Sequence, residues 1–441
     1  MQATAILLAA GMGTRMKSAL PKTLHKIAGR SMLRHLLSSC EATFDRITVV
    51  LGPDMDPVRR EAEPHACVVQ AERLGTAHAA LQAVEQFGDG EVAVMYADNP
   101  LIRPDTLRRL RERRAQGDAG LVLLAFRPTD PARYGRVVTA DGYVQRIVEW
   151  ADASAEERAV DRCNAGALCA HAADMARWLG AVRADNAKGE YYLTDVVALA
   201  RAEGVRVAAI EAPADELAGV NSRVELAAAE AVVQGWLRTA AMEAGVTMID
   251  PASVFLSWDT QLSPDVTVEP NVVFGPGVRI ATGVQIRAHS HLEGCAVGPG
   301  CIIGPFARLR PGAEIGPKAH IGNFVEIKNA TIAAGAKANH LSYIGDADVG
   351  AGANIGAGTI TCNYDGFAKH RTVIGAGAFI GSDTTLVAPV KIGDGAFTGA
   401  GSTITSDVPA DGLALARGRQ VIKEGWAETF RVLRRAAKGN G

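Results

Sequence analysis

Two glycines and two basic side chains lie close together near the start of the chain. Gly11 and Gly13 are followed by Arg15 and then by Lys22. Glycines at this spacing let the backbone turn tightly and bring its N–H groups against a phosphate, and the cations supply positive charge. Two familiar alternatives fail, because Met16 stands where a dinucleotide fingerprint needs a third glycine, and no Gly-Lys-Ser/Thr is present for a P-loop. The segment is a candidate phosphate-binding loop.

Asp98 is a candidate metal ligand, because it follows the apolar run of residues 92–96. A carboxylate at the end of a central strand can hold Mg²⁺ against the phosphates of a nucleotide. A single aspartate after a strand is more often a turn residue or a helix cap, and its position alone leaves that alternative open.

The second half of the chain contributes two cations and a histidine. Arg310 and Lys328 are three units of a six-residue repeat apart, so they should stack on one side if three units make one coil. Stacked cations favour an anionic ligand, and a solvated basic surface is the alternative. His340 lies between the inward positions of the repeat and should face outward, as an ordinary surface histidine also would.

The repeat itself predicts the fold of this half. Aliphatic residues recur at every sixth position between residues 268 and 404, as at Ile303, Leu309, Ile315, Ile321 and Ile327, with Ala307, Ala313, Ala319, Val325 and Thr331 at the small or β-branched positions. Two inward positions in six fit neither a helix nor a plain strand. They predict an all-β solenoid, a left-handed hexapeptide-repeat β-helix. The frame breaks between Ile360 and Ile374, so residues 361–372 should loop out over a binding face.

The first half has a different pattern, in which short apolar runs alternate with helical segments. The predicted strands, which should be buried and parallel, are residues 5–9, 47–51, 92–96 and 121–125, and the predicted helices are residues 33–40, 76–87 and 104–115. This alternation predicts a doubly wound α/β sheet that binds ligands beyond the carboxyl ends of its strands. The predicted domains are residues 1–223 and 246–441, joined by a linker helix over residues 224–245.

Composition excludes some classes of function. A formal charge of -2 gives no reason to expect nucleic acid or an anionic membrane as partner. The apolar run near the start is too short for a signal peptide or a membrane span. Seven scattered cysteines without a Cys-x-x-Cys indicate reduced thiols and a cytoplasmic protein.

Longer strings carry a resemblance to a known family. The segments LAAGMGTRM, LPK, QAERLGTA and YADNPL together resemble the signature of sugar-phosphate nucleotidyltransferases, and NHLSYIGD resembles the catalytic segment of an acetyltransferase. From residue 8 to residue 426, the chain is similar to the bifunctional bacterial enzymes that combine N-acetylglucosamine-1-phosphate uridylyltransferase with glucosamine-1-phosphate N-acetyltransferase.

For the first half, the resemblance implies that Asp98 and Asn221 bind Mg²⁺, although Asn221 alone could cap the following helix. The residues that it implies for binding UTP and the UDP-sugar are Leu8, Ala9, Ala10, Gly11, Arg15, Lys22, Gln70, Gly75, Thr76, Tyr96, Ala97, Asp98, Gly135, Glu149, Asn164 and Asn221. The attacking phosphate is already anionic, so no general base is required. Ala97 and Asn99 depart from the family pattern of a glycine and an apolar residue, which bears on nucleotide affinity.

For the second half, the resemblance implies that His340 is the general base that takes a proton from the attacking amine. Glu326 is a candidate to orient it. The implied contacts to glucosamine-1-phosphate are Arg310, Lys328, Tyr343 and Asn354, and those to acetyl-CoA are Ala357, Asn363, Tyr364, Ser382, Ala400 and Arg417.

The resemblance also implies a homotrimer whose acetyl-transfer sites lie between solenoids and are reached by the basic carboxy-terminal tail. The expected product is UDP-N-acetylglucosamine, which feeds peptidoglycan and lipopolysaccharide precursors. Two other classes stay open: a nucleotidyltransferase whose solenoid only assembles trimers, and a non-catalytic trimeric scaffold that binds sugar nucleotides.

Overall fold

The structure, a computed structural model, describes residues 2–131 and 134–438. The chain forms two compact units, Met1–Thr239 and Ala240–Gly441, and each unit is described by itself.

A twisted sheet of nine strands forms the centre of the amino-terminal unit. In spatial order its main path is β11 (Val207–Glu211), β7 (Leu121–Phe126), β10 (Cys163–His171), β6 (Glu91–Tyr96), β1 (Ala3–Leu8), β4 (Arg46–Leu51) and β5 (Ala66–Val69). A hairpin of β8 (Arg136–Ala140) and β9 (Tyr143–Val148) joins the sheet through β10, and β2 (Lys26–Ile27) pairs with β3 (Arg30–Ser31) in a separate ribbon.

Helices cover both faces of this sheet, with one apolar cluster on each side. They are α1 (Met32–Glu41), α2 (Asp56–Ala62), α3 (Thr76–Leu81), α4 (Pro104–Ala115), α5 (Ala155–Arg158), α6 (Ala172–Ala181), α7 (Asp195–Ala202) and α8 (Ala214–Leu217). The Ala- and Leu-rich stretch that follows forms α9 (Arg223–Glu243), whose Ala229 and Val233 pack on Met32 in a third cluster.

The predicted doubly wound α/β class is confirmed, and each predicted strand or helix overlaps an observed one. The sheet differs from the prediction in being mixed, because β10 runs antiparallel to both β6 and β7. Its sequence, CNAGALCAH, is buried but contains no β-branched residue. Side chains of this kind are poor strand formers, so the pattern was not recognisable without the neighbouring strands.

The second unit is a three-sided solenoid in which each side is a parallel sheet of short strands. The first side consists of β12 (Thr247–Met248), β14 (Thr267–Val268), β17 (Gln285–Ile286), β20 (Ile302–Ile303), β23 (His320–Asn323), β26 (Lys337–His340), β29 (Asn354–Ile355), β32 (Phe379–Ile380), β35 (Phe397–Thr398) and β37 (Leu413–Ala414). The second consists of β13 (Gln261–Leu262), β16 (Arg279–Ile280), β19 (Ala296–Val297), β22 (Ala313–Ile315), β25 (Ala330–Ile332), β28 (Ala347–Val349), β31 (Thr372–Ile374) and β34 (Val390–Ile392). The third consists of β15 (Val273–Phe274), β18 (His291–Leu292), β21 (Arg308–Leu309), β24 (Glu326–Lys328), β27 (Tyr343–Gly345), β30 (Ile360–Cys362), β33 (Thr385–Val387) and β36 (Thr403–Ile404).

The aliphatic positions of the repeat are buried along the axis, which confirms the predicted hexapeptide-repeat β-helix. Thr331 was wrongly placed inward: it is exposed, and Ala330 is buried in its stead, because the frame slips back by one residue at Ile332. Beyond the last coil, α10 (Trp426–Lys438) is exposed along its whole length. Within the described ranges, no helix has both the length and the apolar character needed to cross a bilayer.

Candidate functional site

The amino-terminal unit contains a cavity of about 430 Å³ beyond the carboxyl ends of β1 and β6. This is the edge of the sheet at which α/β proteins bind ligands. Most of the predicted nucleotide and sugar contacts line it: Leu8, Ala9, Ala10, Gly11, Arg15, Lys22, Gln70, Gly75, Thr76, Tyr96, Asp98 and Glu149.

Four predicted contacts do not line this cavity. Ala97 is buried in the apolar core on one face of the sheet. Gly135 and Asn164 belong to adjacent segments, and the Asn164 N–H donates to the Gly135 carbonyl oxygen at 2.8 Å. Asn221 lies next to the cavity, where its side chain meets Lys22.

Asn99, the other departure from the family pattern, is also buried. Its side-chain amide donates to the Leu217 carbonyl oxygen at 2.6 Å. This hydrogen bond satisfies the buried amide and holds the loop after β6 against the segment that leads to Asn221. It explains why a polar residue is tolerated where the family pattern has an apolar one.

Lys22 connects the two candidate metal ligands. Its Nζ donates to Asp98 Oδ2 at 2.6 Å and to Asn221 Oδ1 at 3.0 Å, and both charged side chains are mostly buried. Ser222, and not Asn221, caps the start of α9 by accepting from the Glu225 N–H at 3.3 Å. The Asn221 side-chain oxygen thus faces the site.

These two oxygens fit a divalent hard cation. A carboxylate and an amide oxygen converge on one point, and Mg²⁺ prefers such oxygen ligands while taking its remaining ligands from phosphates and water. Among the described residues, no group of three His, Cys, Asp or Glu side chains could enclose a metal on its own. The pair supplies two ligands, so the remaining ligands of a bound cation would come from phosphates and water.

The loop from Gln70 to α3 is held in one shape by backbone contacts. Gly75 has φ +125, and a Cβ at this position would lie 2.5 Å from the Tyr191 carbonyl oxygen. The buried Gln70 donates to the Gly75 carbonyl oxygen at 3.0 Å, and Thr76 Oγ1 accepts from the Leu193 N–H at 2.8 Å. Only glycine allows this approach, so the loop presents fixed polar groups to the cavity.

Glu149 and Tyr96 also line the cavity. Burial raises the pKa of Glu149, and a hydrogen bond from the Thr194 hydroxyl, 3.2 Å from Oε1, opposes that rise. Burial also raises the pKa of Tyr96. Gly166, with φ +69, lies against the Tyr96 ring so closely that a Cβ would come within 2.1 Å of a ring carbon. The ring position therefore depends on Gly166.

Sequence reasoning missed some residues of this cavity. Arg73 lies within the quoted QAERLGTA string, and its Nε donates to the Ala10 carbonyl oxygen at 2.8 Å. Lys188, Glu190 and Tyr192 also line the cavity, and the Tyr192 hydroxyl is buried without a hydrogen-bond partner. The GEYY string of residues 189–192 is another segment in which the chain resembles the sugar-phosphate nucleotidyltransferases, and it was the weak sequence signal for this part of the cavity.

In the solenoid, His340 is exposed at the corner between the first and third sides. Its Nδ1 lies 2.6 Å from Asn323 Oδ1, one coil earlier and 17 residues away in sequence. Glu326 instead accepts from Arg310 Nη1 at 2.7 Å. The expectation that Glu326 orients His340 is wrong, because Glu326 pairs with Tyr343 across the third side whereas Asn323 pairs with His340.

A cluster of three cations lies at the end of the third side that is opposite the corner of His340. Arg310 and Lys328 stack on adjacent coils, as predicted. Lys369, from the loop between β30 and β31, reaches Lys328 and was not predicted. Contact with Lys369 lowers the pKa of Lys328, and desolvation and the charge of Arg310 lower it further. Like charges held together in this way favour an anionic ligand.

A hydrogen-bond network lies below the cations. Asp346 accepts from Asn329 Nδ2 at 2.5 Å and from Asn363 Nδ2, while Asn363 Nδ2 also lies 3.5 Å from the Tyr343 hydroxyl. Burial alone would raise the pKa of Asp346, but these hydrogen bonds and the charges of Lys369 and Lys328 lower it. The network anchors the loop that carries Lys369.

Four of the six predicted acetyl-CoA contacts lie in or next to a column that continues from His340. Ala357, Ser382 and Ala400 occupy the same corner in successive coils, and Arg417 Nη1 donates to the Ala400 carbonyl oxygen at 3.0 Å. Asn354 lies on the first side, next to this column. Tyr364 is exposed on the loop beyond the third side. The solenoid thus brings the predicted base, the cation cluster and a strip of small residues onto neighbouring coils.

Comparison with known families agrees with these two halves. The MobA-like NTP transferase domain family matches residues 5–167, and the bacterial transferase hexapeptide family (six repeats) matches residues 294–329 and 371–406. The fold and sites therefore define a transferase that joins a nucleotidyltransferase unit to a hexapeptide-repeat unit.

Individual proteins identify the family. The bifunctional protein GlmU of Gluconacetobacter diazotrophicus is 62% identical over 443 residues, which cover 100% of this chain and 96% of that protein. The bifunctional protein GlmU of Granulibacter bethesdensis is 64% identical over 441 residues, covering 99% and 97%. A solved structure of UDP-glucose pyrophosphorylase complexed with UDP-glucose matches with a TM-score of 0.44 and 18% identity, over 54% of this chain and 100% of that one.

The chain belongs to the family of bifunctional GlmU proteins. This membership confirms the predicted class, an enzyme that transfers both uridylyl and acetyl groups. Nucleotidyltransferases of this kind generally use Mg²⁺, and their substrates are small molecules.

Proposed function

We propose that the solenoid site acetylates glucosamine-1-phosphate with acetyl-CoA, and that the amino-terminal site then joins the product to UMP from UTP, releasing pyrophosphate. Residues 1–223 would be the uridylyltransferase domain, residues 224–245 the linker helix and residues 246–441 the acetyltransferase domain. The observation that carries the proposal is the convergence of Lys22, Asp98 and Asn221 in one unit, and the placement of His340 and a three-cation cluster on neighbouring coils of the other.

In uridylyl transfer, a phosphate oxygen of the sugar phosphate attacks the α-phosphorus of UTP, and the bond to the β-phosphate breaks. The protein must hold two anions together and neutralise the charge that develops on pyrophosphate. Arg15 and Lys22 would hold the phosphates, and Asp98 and Asn221 would hold Mg²⁺, which supplies further neutralising charge when bound. Gln70, Gly75 and Thr76 would contact uracil, while Gly135, Glu149 and Asn164 would contact the acetylated sugar.

In acetyl transfer, the amine of the sugar phosphate attacks the thioester carbonyl, and coenzyme A leaves as the thiol. His340 would take the proton that the amine loses. Because Asn323 Oδ1 lies 2.6 Å from Nδ1 of His340, this carbonyl oxygen favours the tautomer with hydrogen on Nδ1. That tautomer leaves the lone pair of Nε2 free to accept a proton.

The rest of the solenoid site would bind the two substrates. Arg310 and Lys328 would hold the sugar phosphate, and Tyr343 and Asn354 would contact the sugar. Acetyl-CoA would lie along the corner column, with Ala357, Ser382, Ala400 and Arg417 next to the coenzyme and with Asn363 and Tyr364 near the acetyl group.

Assembly as a homotrimer belongs to the same proposal. The uncovered helix α10 supports it, because Trp426, Phe430 and Leu433 expose apolar surface on a helix that also carries a basic face. A second copy of the chain is the partner that we propose for this tail. Seven free cysteines are consistent with a cytoplasmic location.

Two assays test the proposal. Free coenzyme A should appear from acetyl-CoA and glucosamine-1-phosphate with the parent protein, and His340→Ala should lose several orders of magnitude of this rate. Pyrophosphate should appear from UTP and N-acetylglucosamine-1-phosphate with Mg²⁺, and Asp98→Ala should abolish it. Absence of coenzyme A release from a folded parent would leave a uridylyltransferase whose solenoid only assembles the protein.

A further inference from the structure

Lys22 occupies the point at which its two neighbours would bind a metal. Its Nζ lies 2.6 Å from Asp98 Oδ2 and 3.0 Å from Asn221 Oδ1, and these are the oxygens that would face Mg²⁺. An ammonium group and a divalent cation cannot share this point, because both need the same lone pairs and both are positive.

The position of the Lys22 side chain is fixed by its surroundings. Gly13, with φ +63, lies so close to the lysine stem that a Cβ would come within 2.6 Å of Lys22 Cβ. The Lys22 side chain is only 13% exposed. The ammonium therefore stays near Asp98 unless another anion attracts it, and a nucleotide phosphate in the same cavity is such an anion.

We propose that Lys22 is an internal competitor for the metal site and couples metal binding to nucleotide binding. This inference deepens the proposed uridylyl transfer and rests on it. When the phosphates of UTP arrive, the Lys22 ammonium moves from Asp98 and Asn221 to a phosphate oxygen, and the two protein oxygens become free for the divalent cation. By reciprocity, UTP must then strengthen metal binding at this pair as much as the metal strengthens UTP binding.

The test measures metal affinity without catalysis. Mn²⁺ is titrated into the full-length protein without nucleotide, and free Mn²⁺ is followed by electron paramagnetic resonance. Lys22→Met keeps the length of the side chain and removes its charge. Because a charge-assisted hydrogen bond no longer competes, Mn²⁺ should bind about tenfold to a hundredfold more tightly to this variant than to the parent. Asp98→Asn in the Lys22→Met background should abolish the gain.

Arg15→Met is the matched control. Arg15 lines the same cavity and carries the same charge, but the described hydrogen bonds of the Asp98 and Asn221 side chains are with Lys22. Loss of Arg15 should change the affinity for Mn²⁺ without nucleotide by less than about threefold, the effect of a screened charge at longer distance. An equal gain in Mn²⁺ affinity in both variants would overturn the competitor role, because the gain would then follow from the loss of any positive charge in the cavity.

A second arm separates this inference from the proposed function. With a non-hydrolysable UTP analogue, Mn²⁺ affinity should rise strongly in the parent and much less in Lys22→Met. If the analogue and Mn²⁺ bind the parent cooperatively but Lys22→Met gains no affinity for Mn²⁺ alone, the competition is refuted and the uridylyl-transfer site stands. If no sample shows Mn²⁺ binding that depends on Asp98, the proposed metal site is refuted, and the proposed competition is refuted with it.

Discussion

Lys369 provides the sharpest quantitative prediction for the solenoid. It lies on the loop between β30 and β31 and reaches Lys328, whose pKa it lowers, so it adds a third cation to Arg310 and Lys328. In Lys369→Ala, a sugar phosphate loses one charge-assisted contact. Such contacts contribute about 1.5–3 kcal/mol when shielded, and the exposure of Lys369 reduces this to about 1–2 kcal/mol.

This loss should raise the KM for glucosamine-1-phosphate about 5- to 30-fold, with little change in the KM for acetyl-CoA. The fold should not suffer, because the loop keeps the Asp365–His370 contact at 2.7 Å and the paired contacts of Arg371 with Asp348. Removal of a repulsive neighbour should also raise the pKa of Lys328, so the melting temperature should stay level or rise.

Steady-state release of coenzyme A, with each substrate varied in turn, is the appropriate assay. Lys391→Ala is a matched control, since this exposed lysine lies on the second side of the solenoid. Lys369→Arg should retain most of the affinity because it keeps the charge. A KM for glucosamine-1-phosphate within twofold of the parent, or equal rises in both KM values, would refute the assignment of this cluster to the sugar phosphate.

Three further changes test other parts of the two sites. Asn323→Asp should move the acidic limb of the acetyl-transfer pH profile to higher pH, because a carboxylate next to Nδ1 favours the protonated imidazole of His340; an unshifted limb would mean that the observed contact does not govern the base. Burial raises the pKa of Glu149, so its ionised form costs stability above that pKa and the cost disappears as the pH falls through it. Glu149→Gln should therefore raise the melting temperature of the amino-terminal unit near pH 8, by an increment that shrinks on acidification, and an increment that grows instead would contradict this sign. Gly166→Ala should reduce uridylyl transfer at least about tenfold while coenzyme A release is unchanged, because φ +69 is strained for alanine and its Cβ would displace the Tyr96 ring; full uridylyl activity would show that the ring position does not matter.

The repeat made the solenoid predictable in detail. Inward residues follow one another at fixed spacing, so burial at Ile303 or Leu309 could be stated from the sequence alone. The same regularity predicted that Arg310 and Lys328 would stack. Strand β10 escaped prediction because Ala, Gly and Cys in a buried segment carry no strand signal of their own.

Side-chain contacts between coils and between distant segments could not be predicted from the sequence. Asn323 and His340 are 17 residues apart, and many outward residues share that spacing, so nothing in the sequence singled out this pair over Glu326. Lys369 lies in an insertion that interrupts the repeat, and no periodicity states where a loop places its side chains. In the amino-terminal unit, the contact between Lys22 and Asn221 spans 199 residues and depends on the whole sheet.

The coil-by-coil pairing of the solenoid also governs how it opens in solution. Each short strand pairs only with its counterparts one coil before and one coil after, as β26 does with β23 and β29. Such a stack frays from its ends, and amide hydrogen exchange should quicken toward β12 and β37. His340, on β26, has several coils on either side, so the backbone around it should be among the slowest to exchange. Its rigidity is a property of its place in the stack, and coils such as those of β12, β14 and β17, to which no substrate contact is assigned, contribute to it.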